Sequence, residues 1–348
     1  MACALVLIGV LMVWLSQPKA GPAPETSESS RQSHVTPEPS PSTSTSTTRP
    51  ATPSAPPSVP TPEPVTVGPV VAPLHGLTVD SVDDLDALVA SVSALSHRPT
   101  LRMVFEADRS PADYAAAVTA LEPYADLMGL VLDSTAMAQL SVPEVTARTQ
   151  AFVDAFAHQI AIWEVGNEVN GEWVGAGPDE IVAKVAAANR VVKAAGEPSA
   201  ITFNYWSGPD CYAEPWEVGA TFVTHVPADM AGAVDLVMLS VYETACDPPQ
   251  QPSATQLAGE LTMLGQVFGN AKLGIGEIGA QGVDDDLPTN PTFAEKERIA
   301  QRYMGMAPEL RAALGDRFVG GWFWWYFVED AVPKDKPESL WPVLNELA

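Results

Sequence analysis

The sequence has few basic residues and few cysteines. Lys and Arg number 18 against 43 Asp and Glu, which gives a formal net charge of −25 at pH 7. Such a chain is a poor partner for nucleic acid or for an anionic membrane surface, because both attract cations. The three cysteines, Cys3, Cys211 and Cys246, have no zinc-ligand spacing, and neither a GxGxxG nor a Walker motif occurs. We therefore expect no metal site, no cofactor and no nucleic-acid partner.

The chain also lacks an apolar run of membrane-spanning length near its start. The run from Ala4 to Leu15 has twelve residues, whereas a spanning helix needs about 20. It fits the apolar region of a secretory signal that ends near Ala20, and an uncleaved membrane anchor is the alternative. We predict a signal peptide or anchor at 1–20, a disordered Pro/Ser/Thr-rich linker at 21–67 and a folded domain at 68–348. This order predicts an extracellular or cell-surface location.

Short apolar runs alternate with amphipathic segments after residue 74. Most of the apolar runs are continuous, as in strands buried on both faces. The order strand then helix, repeated eight times, predicts an α/β fold of the (β/α)8 TIM-barrel type, with a doubly wound open sheet as the competing architecture. The eight strand candidates are 75–80, 100–106, 127–133, 160–166, 200–206, 234–242, 272–278 and 318–327.

Carboxylates and aromatic residues follow these strands. Chemistry in such barrels sits at the carboxyl ends of the strands, where Glu168 follows strand 4 and Glu277 lies near the end of strand 7. A pair of carboxyl groups is what glycoside hydrolysis requires, one to protonate the leaving group and one to attack or activate water. Aromatic faces can stack on sugar rings, and the candidates are Tyr205, Trp206, Trp324 and Trp325. Further strand-end acids, here considered as acceptors for sugar hydroxyls, are Glu106, Asp108, Asp133 and Glu243.

Residues 74–348 resemble the retaining glycoside hydrolases of clan A, the cellulase-, mannanase- and galactanase-type barrels. The resemblance rests on Asn-Glu after strand 4 and a lone Glu on strand 7. It implies that Glu168 is the general acid/base, Glu277 the nucleophile and Asn167 the residue that binds the sugar 2-hydroxyl. "LRMVF", "SVYE" and "GGWFWW" resemble strands 2, 6 and 8 of the group. Through them the resemblance implies a supporting Arg102, a supporting Tyr242 and an aromatic platform, with Trp325 a better fit than Trp324.

Strand alternation makes two further predictions. Glu164 lies on the same face as Glu168, so it should point into the barrel and form an ion pair there. Its candidate partner is Arg102, for which Glu277 competes. If the strand instead bulges before Asn167, Glu164 should face the helices. On strand 7, Leu273, Ile275 and Glu277 should point inward, while Gly274 and Gly276 face the helices.

The sequence thus predicts a monomeric, exported, retaining glycoside hydrolase acting on a β-linked polysaccharide or oligosaccharide. The alternative is a non-catalytic carbohydrate-binding or cell-wall-associated barrel protein, which has no need for a close pair of carboxyl groups. Cys211 and Cys246 follow neighbouring strands 5 and 6, so we also predict a disulfide across the rim of the cleft, with two unrelated buried thiols as the alternative.

Overall fold

The structure is a computed structural model that describes residues 70–246, 248–285 and 287–347. The segments predicted at 1–20 and 21–67 lie outside the described residues. Within the described part, no helix has both the length and the apolar character needed to cross a membrane.

Eight parallel strands close into a barrel, in chain order, with β8 hydrogen-bonded to β1. This confirms the predicted (β/α)8 barrel, and the open sheet is wrong. The strands are β1 (Leu74–Val79), β2 (Thr100–Val104), β3 (Asp126–Leu130), β4 (Ile160–Gly166), β5 (Ser199–Asn204), β6 (Leu236–Val241), β7 (Lys272–Ile278) and β8 (Phe318–Trp324).

Helices surround the barrel, and their ends follow local sequence signals. Ser110 and Asp113 form a capping box ahead of α2, with Pro111 at its first position,. The first helix begins after Asp84, whose side chain caps it by accepting a hydrogen bond from Ala87 N. The helices are α1 (Leu85–Ser93), α2 (Pro111–Leu121), α3 (Ser134–Ala138), α4 (Val142–Phe156), α5 (Pro178–Ala194), α6 (Gly219–Phe222), α7 (Ala228–Ala233), α8 (Ala254–Val267), α9 (Phe293–Met304), α10 (Ala307–Leu314), α11 (Phe327–Ala331) and α12 (Trp341–Leu347).

The barrel interior is apolar towards the amino ends of the strands and polar towards their carboxyl ends. On β4 and β5, alternate residues place the polar Glu164 and Thr202 beyond the apolar Ile162 and Ala200, and Thr202 donates a hydrogen bond to Glu164. The apolar cluster comprises Val70, Leu74, Met128, Ile162, Ala200, Leu236, Met238, Val319 and Phe323. The polar layer therefore lies between this cluster and the mouth of the barrel.

The predicted orientation of β7 is wrong from Leu273 to Gly276, whereas Glu277 points inward as predicted. Leu273 and Ile275 belong to the core outside the barrel, whereas a Cβ at Gly276 would lie 2.7 Å from Thr202 Oγ1 inside it. Pairing with β6 shifts register between Ile275 and Glu277, which is a β-bulge at Gly276. The bulge lets Glu277 follow Gly276 onto the inner face, so simple alternation fails within one residue of the site.

Candidate active site

Glu168 and Glu277 line one cavity at the carboxyl ends of the strands, with a volume of about 460 Å³. This volume lies in the range of small-ligand sites. The cavity is lined by Asp133, Ser134, Thr135, Asn167, Glu168, Trp173, Asn204, Trp206, Tyr242, Ala245, Glu277, Gln281, Asp285, Trp325 and Tyr326. Residues from β3 to β8 and the loops that follow these strands therefore meet at a single site.

One hydroxyl group connects the two glutamates. Ser240 Oγ lies 2.8 Å from Glu168 Oε1 and 3.3 Å from Glu277 Oε2. Glu168 Oε1 and Glu277 Oε2 are therefore within about 6 Å of each other, which is compatible with the roughly 5–5.5 Å between the carboxyl groups of retaining glycosidases. Ser240 was not predicted from the sequence, although alternation along β6 places it on the same face as Tyr242, which directly follows the strand,.

Arg102 bridges two buried carboxylates and so resolves the predicted competition. Its Nε and Nη2 donate to Glu164 at 2.5 and 3.1 Å, and its Nη1 donates to Glu277 Oε1 at 2.6 Å. All three side chains are almost completely buried. Glu164 thus pairs inside the barrel, and the planar guanidinium serves both acids at once, which a lysine ammonium could not do with the same geometry.

The environments of Glu168 and Glu277 differ in charge. Burial, followed by the charge of Glu277, raises the pKa of Glu168 to about 8. Burial also raises the pKa of Glu277, but the Arg102 guanidinium opposes this, and Tyr242 donates to Glu277 Oε2 at 3.0 Å. Among the described residues no cation pairs with Glu168. The arrangement therefore favours a proton on Glu168 and a negative charge on Glu277.

The loop after β4 holds Glu168 in an unusual backbone conformation. Its φ is +48°, a left-handed value that costs a residue other than glycine about 1–3 kcal/mol. The backbone on either side is fixed, because Val169 N donates to Thr202 O at 3.0 Å and Gly171 N donates to Glu168 O at 2.7 Å. These bonds turn the Glu168 side chain from the strand edge into the cavity.

Several buried polar atoms that belong to cavity-lining residues lack a hydrogen-bond partner. Asn167 donates through Nδ2 to Asp133 at 3.1 Å, but its Oδ1 has no partner within the described part of the chain, and the same holds for Asn204 Nδ2 and Trp206 Nε1. Buried polar groups are nearly always paired, so hydroxyl groups of a ligand or water are the expected partners. Asn204 is a candidate that the sequence analysis did not assign.

Only part of the predicted aromatic surface lines the cavity. Trp325 and Trp206 do so, together with Trp173, and the Trp325 ring lies 5.3 Å from the Arg102 guanidinium carbon. The prediction for Trp324 is wrong, because β8 turns its fully buried indole away from the cavity to donate to Asp330 at 2.8 Å. Tyr205 is also misplaced by the prediction, since it packs against the core beside the cavity rather than lining it.

Of the other strand-end acids, Asp133 alone lines the cavity. It caps α3 by accepting from Ser134 N at 2.7 Å, and Ser134 Oγ in turn donates to Glu168 Oε2 at 3.3 Å. Glu243 is buried beside Arg298 and Tyr303, and Glu106 pairs with Arg109 at 2.6 Å. Asp133 therefore adds a carboxylate to the site, as does Asp285 in the loop after β7.

A disulfide joins Cys211 to Cys246, with their Cα atoms 5.6 Å apart. This confirms the predicted bridge between the loops after β5 and β6. Gln250 adds a second link between the same loops, because its Oε1 accepts from Gly208 N at 2.7 Å and from Ser207 Oγ at 3.0 Å.

Solved structures with a similar fold include β-glucosidases of Thermotoga maritima. The one in complex with castanospermine has a TM-score of 0.51 and 12% sequence identity, over 70% of this chain and 77% of that chain. The family 1 β-glucosidase has a TM-score of 0.50 and 12% identity, over 70% and 76%. This chain shares their barrel fold. The resemblance seen in the sequence is thus matched in fold, without singling out one family.

A β-mannanase from Thermomonospora fusca has a TM-score of 0.49 and 15% identity, over 73% of this chain and 78% of that chain. No protein-family model and no curated protein sequence matches the chain.

Proposed function

We propose that this chain is a retaining glycoside hydrolase that cleaves a β-linked oligosaccharide or polysaccharide. The observation that carries the proposal is the Ser240 hydroxyl, which reaches both Glu168 and Glu277. It limits the separation of Glu168 Oε1 from Glu277 Oε2 to about 6 Å, which supports the close pair of carboxyl groups that a double displacement requires,.

The charges around the two glutamates support the division of roles. Glu277 is the nucleophile, because Arg102 and Tyr242 both donate hydrogen bonds to it and so favour its ionised form,. Glu168 is the general acid/base, because burial and the charge of Glu277 raise its pKa to about 8 and keep it protonated at neutral pH,.

The reaction then runs in two steps. Glu277 attacks the anomeric carbon while Glu168 gives its proton to the glycosidic oxygen, so that a glycosyl ester forms and the leaving group departs as an alcohol. In the second step Glu168 takes a proton from water, and the oxygen of that water displaces Glu277 from the same carbon. Two inversions return the original β configuration. The unpaired Oδ1 of Asn167 is suited to accept from the sugar 2-hydroxyl.

A sugar-binding barrel without catalytic activity would share the aromatic lining but would gain nothing from a bridged pair of acids. The fold likeness to the β-glucosidases supports the enzyme, because those are named for acting on β-glucosides. We further propose that the enzyme works outside the cell or on its surface, on the basis of the apolar segment and the Pro/Ser/Thr-rich stretch that precede the barrel,.

The proposal is tested by screening the purified protein against β-linked glycans and aryl β-glycosides, with the configuration of the product followed by NMR. Glu277→Gln should abolish turnover, while Glu106→Gln, a change outside the cavity, should not. Glu168→Ala should slow substrates with poor leaving groups most, and added azide should partly restore activity by forming a β-glycosyl azide. An α-configured product, or near-normal turnover by Glu277→Gln, would overturn the assignment.

A further inference from the structure

Glu217 is a buried carboxylate to which the proposed reaction gives no role. It lies in the loop after β5, in a single turn of 3-10 helix at Pro215–Glu217, and it is 0% exposed. It does not line the cavity, and none of the ion pairs in the described part of the chain includes it. Because a buried carboxylate without a cation is costly, its contacts should serve a purpose.

Both carboxylate oxygens of Glu217 accept hydrogen bonds from backbone amides. Oε1 accepts from Glu172 N at 3.1 Å, in the loop after β4, and Oε2 accepts from Glu214 N at 2.6 Å, in the loop after β5. The side chain thus ties one loop to the other. A glutamine could not make both bonds, because its NH2 group would face one of the two N–H donors.

Asn170 makes a second tie between the same two loops. Its Nδ2 donates to Glu217 O at 2.5 Å and to Asn204 O at 2.9 Å, and its Oδ1 accepts from Asn204 N at 2.8 Å. Asn170 is also 0% exposed. Asn170 therefore holds the backbone of Glu217, while the carboxylate of Glu217 holds the backbone of Glu172, two residues beyond Asn170.

The segment held by these bonds carries the proposed general acid/base. Glu168 lies two residues before Asn170, and Trp173 directly follows Glu172. Trp173 Nε1 donates to Glu168 Oε2 at 3.3 Å, so an indole next to the tie contacts the carboxyl group itself. Glu168 depends on such support, because its φ of +48° persists only where the surroundings impose it,.

We propose that Glu217, together with Asn170, positions Glu168 for proton transfer. This inference rests on the proposed function, in which Glu168 protonates the oxygen that leaves. Since Glu217 lies outside the cavity, it is a positioning residue and not a catalytic one. A displacement of about 1 Å at a catalytic group can lower the rate by about 100-fold. Loosening the tie should therefore impair proton transfer and leave the attack by Glu277 largely unchanged.

The dependence of the rate on the leaving group measures this effect. The substrates are the 2,4-dinitrophenyl and phenyl β-glycosides of glucose, galactose and mannose. Dinitrophenolate leaves without a proton, whereas phenol needs one, and both place one aromatic ring on the leaving side. In Glu217→Gln, kcat/KM should fall about 10- to 100-fold more for the phenyl glycoside than for the dinitrophenyl glycoside.

Two further variants accompany Glu217→Gln. Asn170→Asp keeps the acceptor for Asn204 N and loses the donor to Glu217 O, so it should show a selective loss of the same kind. Glu197→Gln is the matched control, because Glu197 is a partly buried carboxylate that lies before β5 and outside the cavity. It should leave the ratio of the two kcat/KM values unchanged. Thermal unfolding of each variant confirms that it is folded.

Removal of the positioned group separates positioning from general damage. In Glu168→Ala the carboxyl group that Glu217 positions is absent, so the addition of Glu217→Gln should lower kcat/KM for the phenyl glycoside by less than about twofold. A merely structural role of Glu217 would lower it as much in this background as in wild type.

The outcomes separate the positioning role from the function. A loss that is selective for the phenyl glycoside and disappears in the Glu168→Ala background would support the role. Equal losses on both glycosides, or a selective loss that persists without Glu168, would overturn the role alone. Wild-type protein that hydrolyses no glycoside of the three sugars would overturn the proposed function and the role with it.

Discussion

Replacing Arg102 by methionine should destabilise the barrel strongly. The change removes the cation that bonds Glu164 through two nitrogens and Glu277 through a third, and both acids are buried. Removing one partner of a buried ion pair typically costs about 3–5 kcal/mol, because the remaining charge is left unpaired in a medium that solvates it poorly. The loss is large against a total stability of about 5–15 kcal/mol for a folded domain.

The free energy of unfolding that is lost in Arg102→Met should increase with pH. Arg102 opposes the burial that raises the pKa of Glu277, so its removal raises that pKa further. A carboxyl group with a raised pKa in the folded state contributes stability at low pH and loses it as pH rises. The difference between wild type and Arg102→Met should therefore be larger at about pH 8 than at about pH 5.

Urea unfolding followed by tryptophan fluorescence measures both effects. The control is Arg102→Met combined with Glu164→Gln, which replaces one of the two buried charges by an amide and should recover part of the lost free energy. A loss below about 1 kcal/mol, the level of a surface ion pair, or an equal loss at both pH values would refute the bridging role of Arg102.

Three other changes have defined outcomes. Ser240→Ala should lower kcat by about 10- to 100-fold, because a hydrogen bond to a charged group contributes about 1.5–3 kcal/mol, and an unchanged kcat would argue against a role for the hydroxyl. On the basic side of the pH profile, kcat/KM should fall with a midpoint near the pKa of Glu168, about 8. Asp133→Asn should shift this midpoint to lower pH, because the charge of Asp133 raises the pKa of Glu168. Cys246→Ser should lower the free energy of unfolding by about 3–4 kcal/mol for a sequence separation of 35 residues,, and dithiothreitol should lower it similarly in wild type but not in the variant.

The order of strands and helices could be predicted because each element carries its own local signal. Continuous apolar runs mark the strands. Gly305 after α9 and Pro308 in the first turn of α10 mark the break between these two helices. The chemistry at the carboxyl ends of the strands followed once the barrel was assumed. Glu168 and Glu277 could be assigned to the candidate site from their positions in this order of strands alone.

The orientation of individual side chains could not be predicted in the same way. The bulge at Gly276 places Glu277 on the inner face, and it is a feature of the pairing of β7 with β6, a strand more than 30 residues earlier in the chain. Trp324 and Trp325 differ by one residue, so their roles depend on which face β8 turns inward. Ser240 lies in the "SVYE" motif, from which only Tyr242 was assigned a role, and the role of Ser240 follows from the meeting of β6 with two other strand ends.

A covalent bond between Glu277 and the sugar can be detected by intact-mass spectrometry. The enzyme is treated with an activated 2-deoxy-2-fluoro β-glycoside of its preferred sugar, which slows the second step more than the nucleophilic attack. We expect one added sugar per chain, found after proteolysis on the peptide that contains Glu277, and none in Glu277→Gln. A label on Glu168, or turnover of the normal substrate to an α-configured product without any label, would contradict it.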